Sequence, residues 1–240
     1  MIFLKQNEIN FKNYKEKILS SIDQLSSDYK YFLVDNARDL KTSFIGKLSD
    51  NPDYINPIEY CKDELKDKLF SEVETYYSLN PVDEPFSKKS RFKKDLLKCF
   101  TTGYGTIITG SDLLVLDIDT IGEYNELLEL SPNIISRCKF KRINSDFSYK
   151  MHLYYKKPKG FETSGNIRRI KLKKEKLWIS GLNKFKLKYE SSKDIAYLFR
   201  NELYQYELVG HMDNITECPP EIIKRIIENE NSAKGVSQLN

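Results

Sequence analysis

The chain has 240 residues, 31% charged and 12% aromatic, with a formal net charge of +4. That length and composition exclude a disordered or collagen-like chain and leave one large domain or two small ones with room for a substantial core. Four scattered cysteines (Cys61, Cys99, Cys138, Cys218) and only His152 and His211 exclude a disulfide scaffold, a clustered zinc site and a multi-histidine metal centre.

In chain order, Met1-Ile2-Phe3-Leu4-Lys5 lacks a leader's apolar run, and no segment reaches membrane-spanning length; a cytoplasmic protein with reduced thiols is expected. Residues 1–100 read as mostly helical. Tyr14, Ile18, Ile22 and Leu25 predict a helix over 14–25, and Cys61, Leu65, Leu69 and Val73 predict another over 58–77. A third is expected over 88–100. Asn51-Pro52-Asp53 and the stretch 80–85 are breaks. Strands then follow at 104–109 and 113–119, around a Gly110-Ser111-Asp112 segment with the composition of a hairpin turn. A short helix is predicted over 123–130, a strand pair over 134–143 and 149–155, and further strands at 167–172, 177–180 and 185–189. Helix returns over 193–204 and 220–228, and 229–240 reads as a frayed tail or linker. No Gly-x-x-x-x-Gly-Lys-Ser/Thr loop is present, so a P-loop motor is excluded.

The chemistry concentrates at Leu113-Leu114-Val115-Leu116-Asp117-Ile118-Asp119. In a mostly buried strand Asp117 and Asp119 share one side, and two like charges there are unfavourable unless a cation sits between them or one takes up a proton. Mg²⁺ or Mn²⁺ is the usual solution, and carboxylate-held Mg²⁺ serves phosphoryl and nucleotidyl transfer. Downstream, Ser148-Tyr149-Lys150-Met151-His152-Leu153-Tyr154-Tyr155 alternates. Met151, Leu153 and Tyr155 fall on one face and Lys150, His152 and Tyr154 on the other, a polar face suited to a triphosphate. Between residues 139 and 193 there are 17 Lys or Arg and four acids, a local net of +13 that leaves −9 for the rest. Such a block is the electrostatic footprint of a surface that meets a polyanion. Trp178, the one tryptophan, sits close to several lysines where it could stack on a base, but a core position is the better reading, as for most strand tryptophans.

These stretches resemble the archaeo-eukaryotic primase superfamily, in its primase–polymerase branch of plasmid and viral replication proteins. Thr102-Gly103-Tyr104-Gly105 leading into Leu116-Asp117-Ile118-Asp119 looks like its glycine-rich approach to a metal-binding strand. Residues 148–155 look like its Ser-x-x-x-His-Leu-Tyr-Phe strand, and Glu217-Cys218-Pro219-Pro220-Glu221-Ile222-Ile223 like the proline-led helix that closes the module. The resemblance covers roughly 100–228. It implies an α+β fold with an RRM-like antiparallel or mixed sheet and a second α/β unit. The parts expected are a mostly helical 1–100, a catalytic core at 101–228 and the tail at 229–240. It also implies template-directed nucleotidyl transfer with Mg²⁺ or Mn²⁺, on a single-stranded DNA template or primer–template with nucleoside triphosphates, alongside a separate or fused helicase. Asp117, Asp119 and His152 would be catalytic; His152, Lys150, Arg168 and Arg169 would bind the triphosphate. Asp117 and Asp119 would hold metal with Asn166, which stands where the family places an acid in Gly165-Asn166-Ile167-Arg168; Glu162, Glu175 or Glu190 are the other candidates for that ligand. Lys171, Lys173, Lys174, Lys184, Lys186 and Lys188 would track the nucleic-acid backbone. Two alternatives stand beside this. One is a non-catalytic primase-like nucleic-acid-binding module in replication initiation. The other is a phosphatase of the haloacid-dehalogenase type, which also opens with Asp-x-Asp, although Asp119-Thr120-Ile121-Gly122 lacks the Gly-Thr expected there.

Overall fold

Strand and helix share the described part of the first hundred residues about equally. The computed structural model describes residues 2–34, 43–48, 55–79, 92–132, 138–142, 150–161, 169–182, 195–199 and 206–237. The predicted breaks at 51–53 and 80–85 and the predicted strand at 185–189 lie outside them. The chain is α+β. It divides into two compact units, Met1–Ile107 with Ser191–Lys193 and Tyr197–Gln205, and Ile108–Glu190 with Asp194–Ala196 and Tyr206–Asn240.

The first unit opens with α1 (Ile2–Ser21), extended by a 3₁₀ turn at Ile22–Gln24. Ile18, Ile22 and Leu25 are buried, as their helical spacing requires. Then come β1 (Lys30–Val34), β2 (Ser43–Leu48), β3 (Ile55–Pro57), α2 (Lys62–Lys68), β4 (Glu72–Leu79), β5 (Phe92–Phe100) and β6 (Gly103–Ile107). Four strands form a sheet in the order β3-β2-β4-β5; β1 and β6 pair antiparallel, with β12 (Ile195–Phe199) third in that second sheet. The hydroxyls of Tyr14 and Tyr31 donate to the carbonyls of Thr102 and Ser26 at 2.7 and 2.6 Å, so neither ring brings an unsatisfied polar group with it.

Two helices expected here are therefore strands. The predicted helix over 58–77 survives only as α2; the chain turns extended at Leu69, Phe70 takes φ +60°, and β4 begins. Leu65, Leu69 and Val73 are four apart, a spacing that fits a helix and also every second position of a strand. The run Val73-Glu74-Thr75-Tyr76-Tyr77 is β-branched and aromatic, and it finds a ladder partner in β5 from Glu72↔Phe100 to Ser78↔Phe92. That same pairing makes 92–100 a strand rather than a helix: the ladder's non-local hydrogen bonds override a weak helical pattern. The N-terminal part is accordingly strand-rich, not mostly helical. Likewise β12 replaces the helix expected over 193–204.

The second unit holds β7 (Leu113–Ile118), α3 (Ile121–Leu130), β8 (Cys138–Arg142), β9 (Met151–Lys156), β10 (Arg169–Lys171), β11 (Lys176–Ser180), β13 (Tyr206–Val209) and α4 (Pro220–Ser237). Its six strands run in the order β10-β11-β7-β9-β8-β13, every neighbour antiparallel. The strands β7 and β8 point the same way with β9 between them and α3 connecting them, a split β-α-β unit. The strand pair expected around 144–146 is present as β8 and β9. The hairpin expected at Gly110-Ser111-Asp112 is not: β6 pairs with β1, β7 pairs with β9 and β11, and the turn carries the chain from one unit's sheet to the other's.

One face of this sheet is apolar and covered. Leu114, Leu116, Ile118, Met151, Leu153, Tyr155, Ile170, Leu177 and Ile179 pack with Leu127 of α3 and Ile222 and Ile226 of α4. Burying each such side chain contributes roughly 1.5–3 kcal/mol, enough to set the register and so to dictate which residues face the other way. The helix α4 runs to Ser237, so 229–237 is not the expected tail. It is tied down by Asn229, whose Oδ1 accepts from Lys171 N at 2.8 Å, and Glu230 is buried.

Candidate functional site

Because Leu116 and Ile118 face the core, Asp117 must face away, and the register assigns its neighbours. Asp117 lies directly opposite His152 of β9 on one side and Trp178 of β11 on the other; Trp178 in turn lies opposite Arg169 of β10. One cross-strand row thus reads Arg169, Trp178, Asp117, His152. The next row toward the C-terminal end of β7 reads Lys171, Lys176, Asp119, Lys150: Lys171 and Lys176 are register partners, and Asp119 and Lys150 continue the β7–β9 register by one position.

The pairings are charged ones. His152 Nε2 lies 3.1 Å from Asp117 Oδ1, and Lys150 Nζ lies 3.8 Å from Asp119 Oδ1. The side chains of Asp117 and Asp119 are 40% and 57% exposed, those of His152 and Lys150 19% and 30%. Burial pushes the Asp117 carboxyl up, but the hydrogen bond and charge of His152 and the charge of Lys150 outweigh it and hold the group below the usual aspartate range. The Arg169 guanidinium stands 3.9 Å from the centre of the Trp178 ring. Across the two rows, Arg169, Lys171, Lys176 and Lys150 face two carboxylates, so the surface remains cationic.

A capping box fixes the backbone at the second carboxylate. The Thr120 hydroxyl accepts from Glu123 N, while Glu123 Oε2 accepts from the N–H groups of Thr120 and Asp119 at 2.9 and 2.7 Å. Glu123 is buried and spent on these donors. Beside it, a Cβ on Gly122 would come within 2.5 Å of Glu175 Oε1, so glycine there lets the Glu175 carboxylate approach the first turn of α3.

Each carboxylate already has a basic partner within the protein, Lys150 for Asp119 and His152 for Asp117, the imidazole counting as a cation only when protonated. Among the described residues no three His, Cys, Asp or Glu side chains form a ready metal cage. The donor set still fits Mg²⁺ or Mn²⁺ of the kind held by one or two carboxylates with the remaining positions taken by water and phosphate, because Asp117 and Asp119 share a face and are accessible.

Of the residues singled out from sequence, Asp117, Asp119, Lys150, His152 and Arg169 are brought onto one face, joined there by Lys171. Asn166, Arg168, Lys184, Lys186, Lys188, Glu162 and Glu190 lie outside the described residues. Lys173 and Lys174 belong elsewhere: they sit in the turn between β10 and β11, whose N–H groups at 173, 174 and 175 all donate to the Glu126 carboxylate of α3, and Lys173 Nζ is paired with Glu129. That places this turn on the helix-covered side, against α3. Lys176 was not singled out, and Trp178 was read as core in preference to a base-stacking residue. Trp178 is not core but 38% exposed; alternation with the buried Leu177 and Ile179 was the available signal. No described helix is long and apolar enough to cross a membrane. No family model, curated protein or solved structure matches the chain.

Proposed function

We propose that the chain is a primase–polymerase that extends a nucleic-acid strand on a single-stranded template, with an RRM-like sheet as its catalytic half. The observation that carries this reading is the juxtaposition of the partly exposed Asp117 and Asp119 with His152 and Lys150 on one face of a split β-α-β sheet, a face that is closed farther along at Val115 and Tyr154. In this reading Asp117 and Asp119 hold Mg²⁺ or Mn²⁺. Bound, the metal supplies Lewis-acid stabilisation of the reacting phosphoryl oxygens and the leaving pyrophosphate. His152 and Lys150 turn from the carboxylates to the triphosphate, donating to its oxygens from fixed strand positions. Lys171 and Lys176, in the same row as Asp119, draw the polyanion to the face by contacts that carry no base specificity. A separate or fused helicase would supply single-stranded template, and the cytoplasm is the expected compartment.

The test is incorporation of labelled nucleotides on a primed and an unprimed template with Mg²⁺ or Mn²⁺. Wild type should extend, and the Asp117→Ala, Asp119→Ala double variant should not; equal behaviour of the two defeats the enzyme reading. A second reading, the non-catalytic nucleic-acid-binding module, is favoured by one observation: both carboxylates already have basic side chains of the protein as partners. It requires a wild type that never incorporates but binds single strands in a salt-sensitive way.

A further inference from the structure

We propose that Arg169 and Trp178 form the platform on which the base of the incoming nucleotide stacks, its phosphates lying over Asp117 and His152. For the identity of the ligand this rests on the polymerase reading; the platform itself stands on separate observations. An indole on a solvated sheet face forgoes burial that the core two residues away provides, and Trp178 is 38% exposed between the buried Leu177 and Ile179. Its ring already carries a flat cation at stacking distance, Arg169 at 3.9 Å, and guanidinium planes and aromatic faces are the two surfaces on which nucleobases stack. The register then supplies the ruler. Trp178 is one strand from Asp117 and two strands from His152, about 10 Å across the sheet at the usual strand spacing, which matches the reach of one nucleotide from base to phosphates. Charge runs the same way: the uncharged ring lies on one side of Asp117 and the phosphate donors His152 and Lys150 on the other. A purely structural cation–π pair at the sheet edge would account for the 3.9 Å contact but not for its alignment with the acidic row.

Trp178 is the chain's one tryptophan, so its emission reports this spot alone. The experiment titrates wild type with 2′-deoxyadenosine triphosphate and Mg²⁺, then with inorganic tripolyphosphate, then with a short oligothymidine, following emission excited at the red edge of the indole band. Saturable quenching by the nucleotide, with none by tripolyphosphate, is expected. By calorimetry, Trp178→Ala should weaken nucleotide binding roughly tenfold, the scale of one base–aromatic stack, and Trp178→Phe should restore most of it. Tripolyphosphate binding should be equal in both variants, which also shows that both are folded. Quenching by tripolyphosphate equal to that by the nucleotide, or quenching by the oligonucleotide alone, overturns the proposal. The two readings fail separately. Template-dependent incorporation without quenching overturns the platform and leaves the polymerase standing, whereas quenching without incorporation sustains the platform and removes the polymerase.

Discussion

Replacing Asp117 and Asp119 together by Asn should have opposite effects on catalysis and on binding. The substitution keeps shape and removes two negative charges from a face that also carries Arg169, Lys171, Lys176 and Lys150. The carboxylates are 40% and 57% exposed, so water's dielectric governs their interactions. A carboxylate and a phosphate about 6 Å apart in water repel by about 0.7 kcal/mol, and screening over the roughly 8 Å Debye length of physiological salt halves this. Two such contacts amount to about 0.7 kcal/mol, so a single-stranded oligonucleotide should bind the variant about threefold more tightly. The assay is fluorescence anisotropy of a labelled oligonucleotide in EDTA at two salt concentrations, beside a thermal melt. The melt should change little, because partly exposed ion pairs contribute roughly 0–1 kcal/mol each. Incorporation should vanish in the same variant. Binding that weakens severalfold while the melt is unchanged would refute the reasoning, because it would mean that these carboxylates do not face the phosphate backbone.

Three further expectations follow from individual contacts. Lys176→Ala should weaken single-strand binding and reduce the slope of log affinity against log salt by about 0.7, whereas Lys173→Ala, whose ammonium is held by Glu129, should leave both within error. In metal-free buffer the stability gap between wild type and Asp117→Asn, read by urea unfolding, should be fully present above the ordinary aspartate value near 3.9. It should close as pH falls through the lower value this group has in the fold, because a depressed carboxyl stabilises only while ionised. Gly181→Ala should lose more than about 2 kcal/mol in the same unfolding assay: Gly181 takes φ +96°, and a Cβ would meet the Leu113 carbonyl oxygen and Ile108 at the start of β7. An unchanged midpoint would show that this turn relaxes freely.

What could be read from sequence was whatever depends on alternation within one strand. Leu116 to Asp119 and Lys150 to Leu153 declare their faces because apolar and polar residues alternate there, so Asp117, Asp119, Lys150 and His152 were legible before any neighbour was known. Register between strands distant in sequence was not. Nothing local says that residue 178 will lie opposite residue 117, and so core was preferred to base stacking for Trp178 and Lys176 was not singled out. The basic block misled in the complementary way. Lys173 and Lys174 look equivalent to Lys171 in composition, yet the turn that contains them folds its N–H groups around Glu126 and turns toward α3. In the first unit, Leu65, Leu69 and Val73 satisfy helical and strand periods at once, and only the β4–β5 ladder decides between them.

The contacts that Lys150 and His152 make with the carboxylates bear on whether the face can also hold a metal, and their strengths differ. Lys150 reaches Asp119 at 3.8 Å, beyond hydrogen-bond distance, from a mobile four-carbon stem onto a carboxylate more than half exposed. Vacating that contact costs little, at most about 1 kcal/mol. His152 meets the more sheltered Asp117 at 3.1 Å, with hydrogen-bond geometry and a depressed carboxyl pKa as its signature. With the carboxylate 40% exposed the pair still contributes at most about 1 kcal/mol, but its hydrogen-bond geometry holds it more firmly than Lys150 holds Asp119. The asymmetry makes Asp119 the carboxylate released first and Asp117 the one released second. Meanwhile the Thr120–Glu123 capping box pins the Asp119 main chain, so its side chain can change partner without moving the strand end.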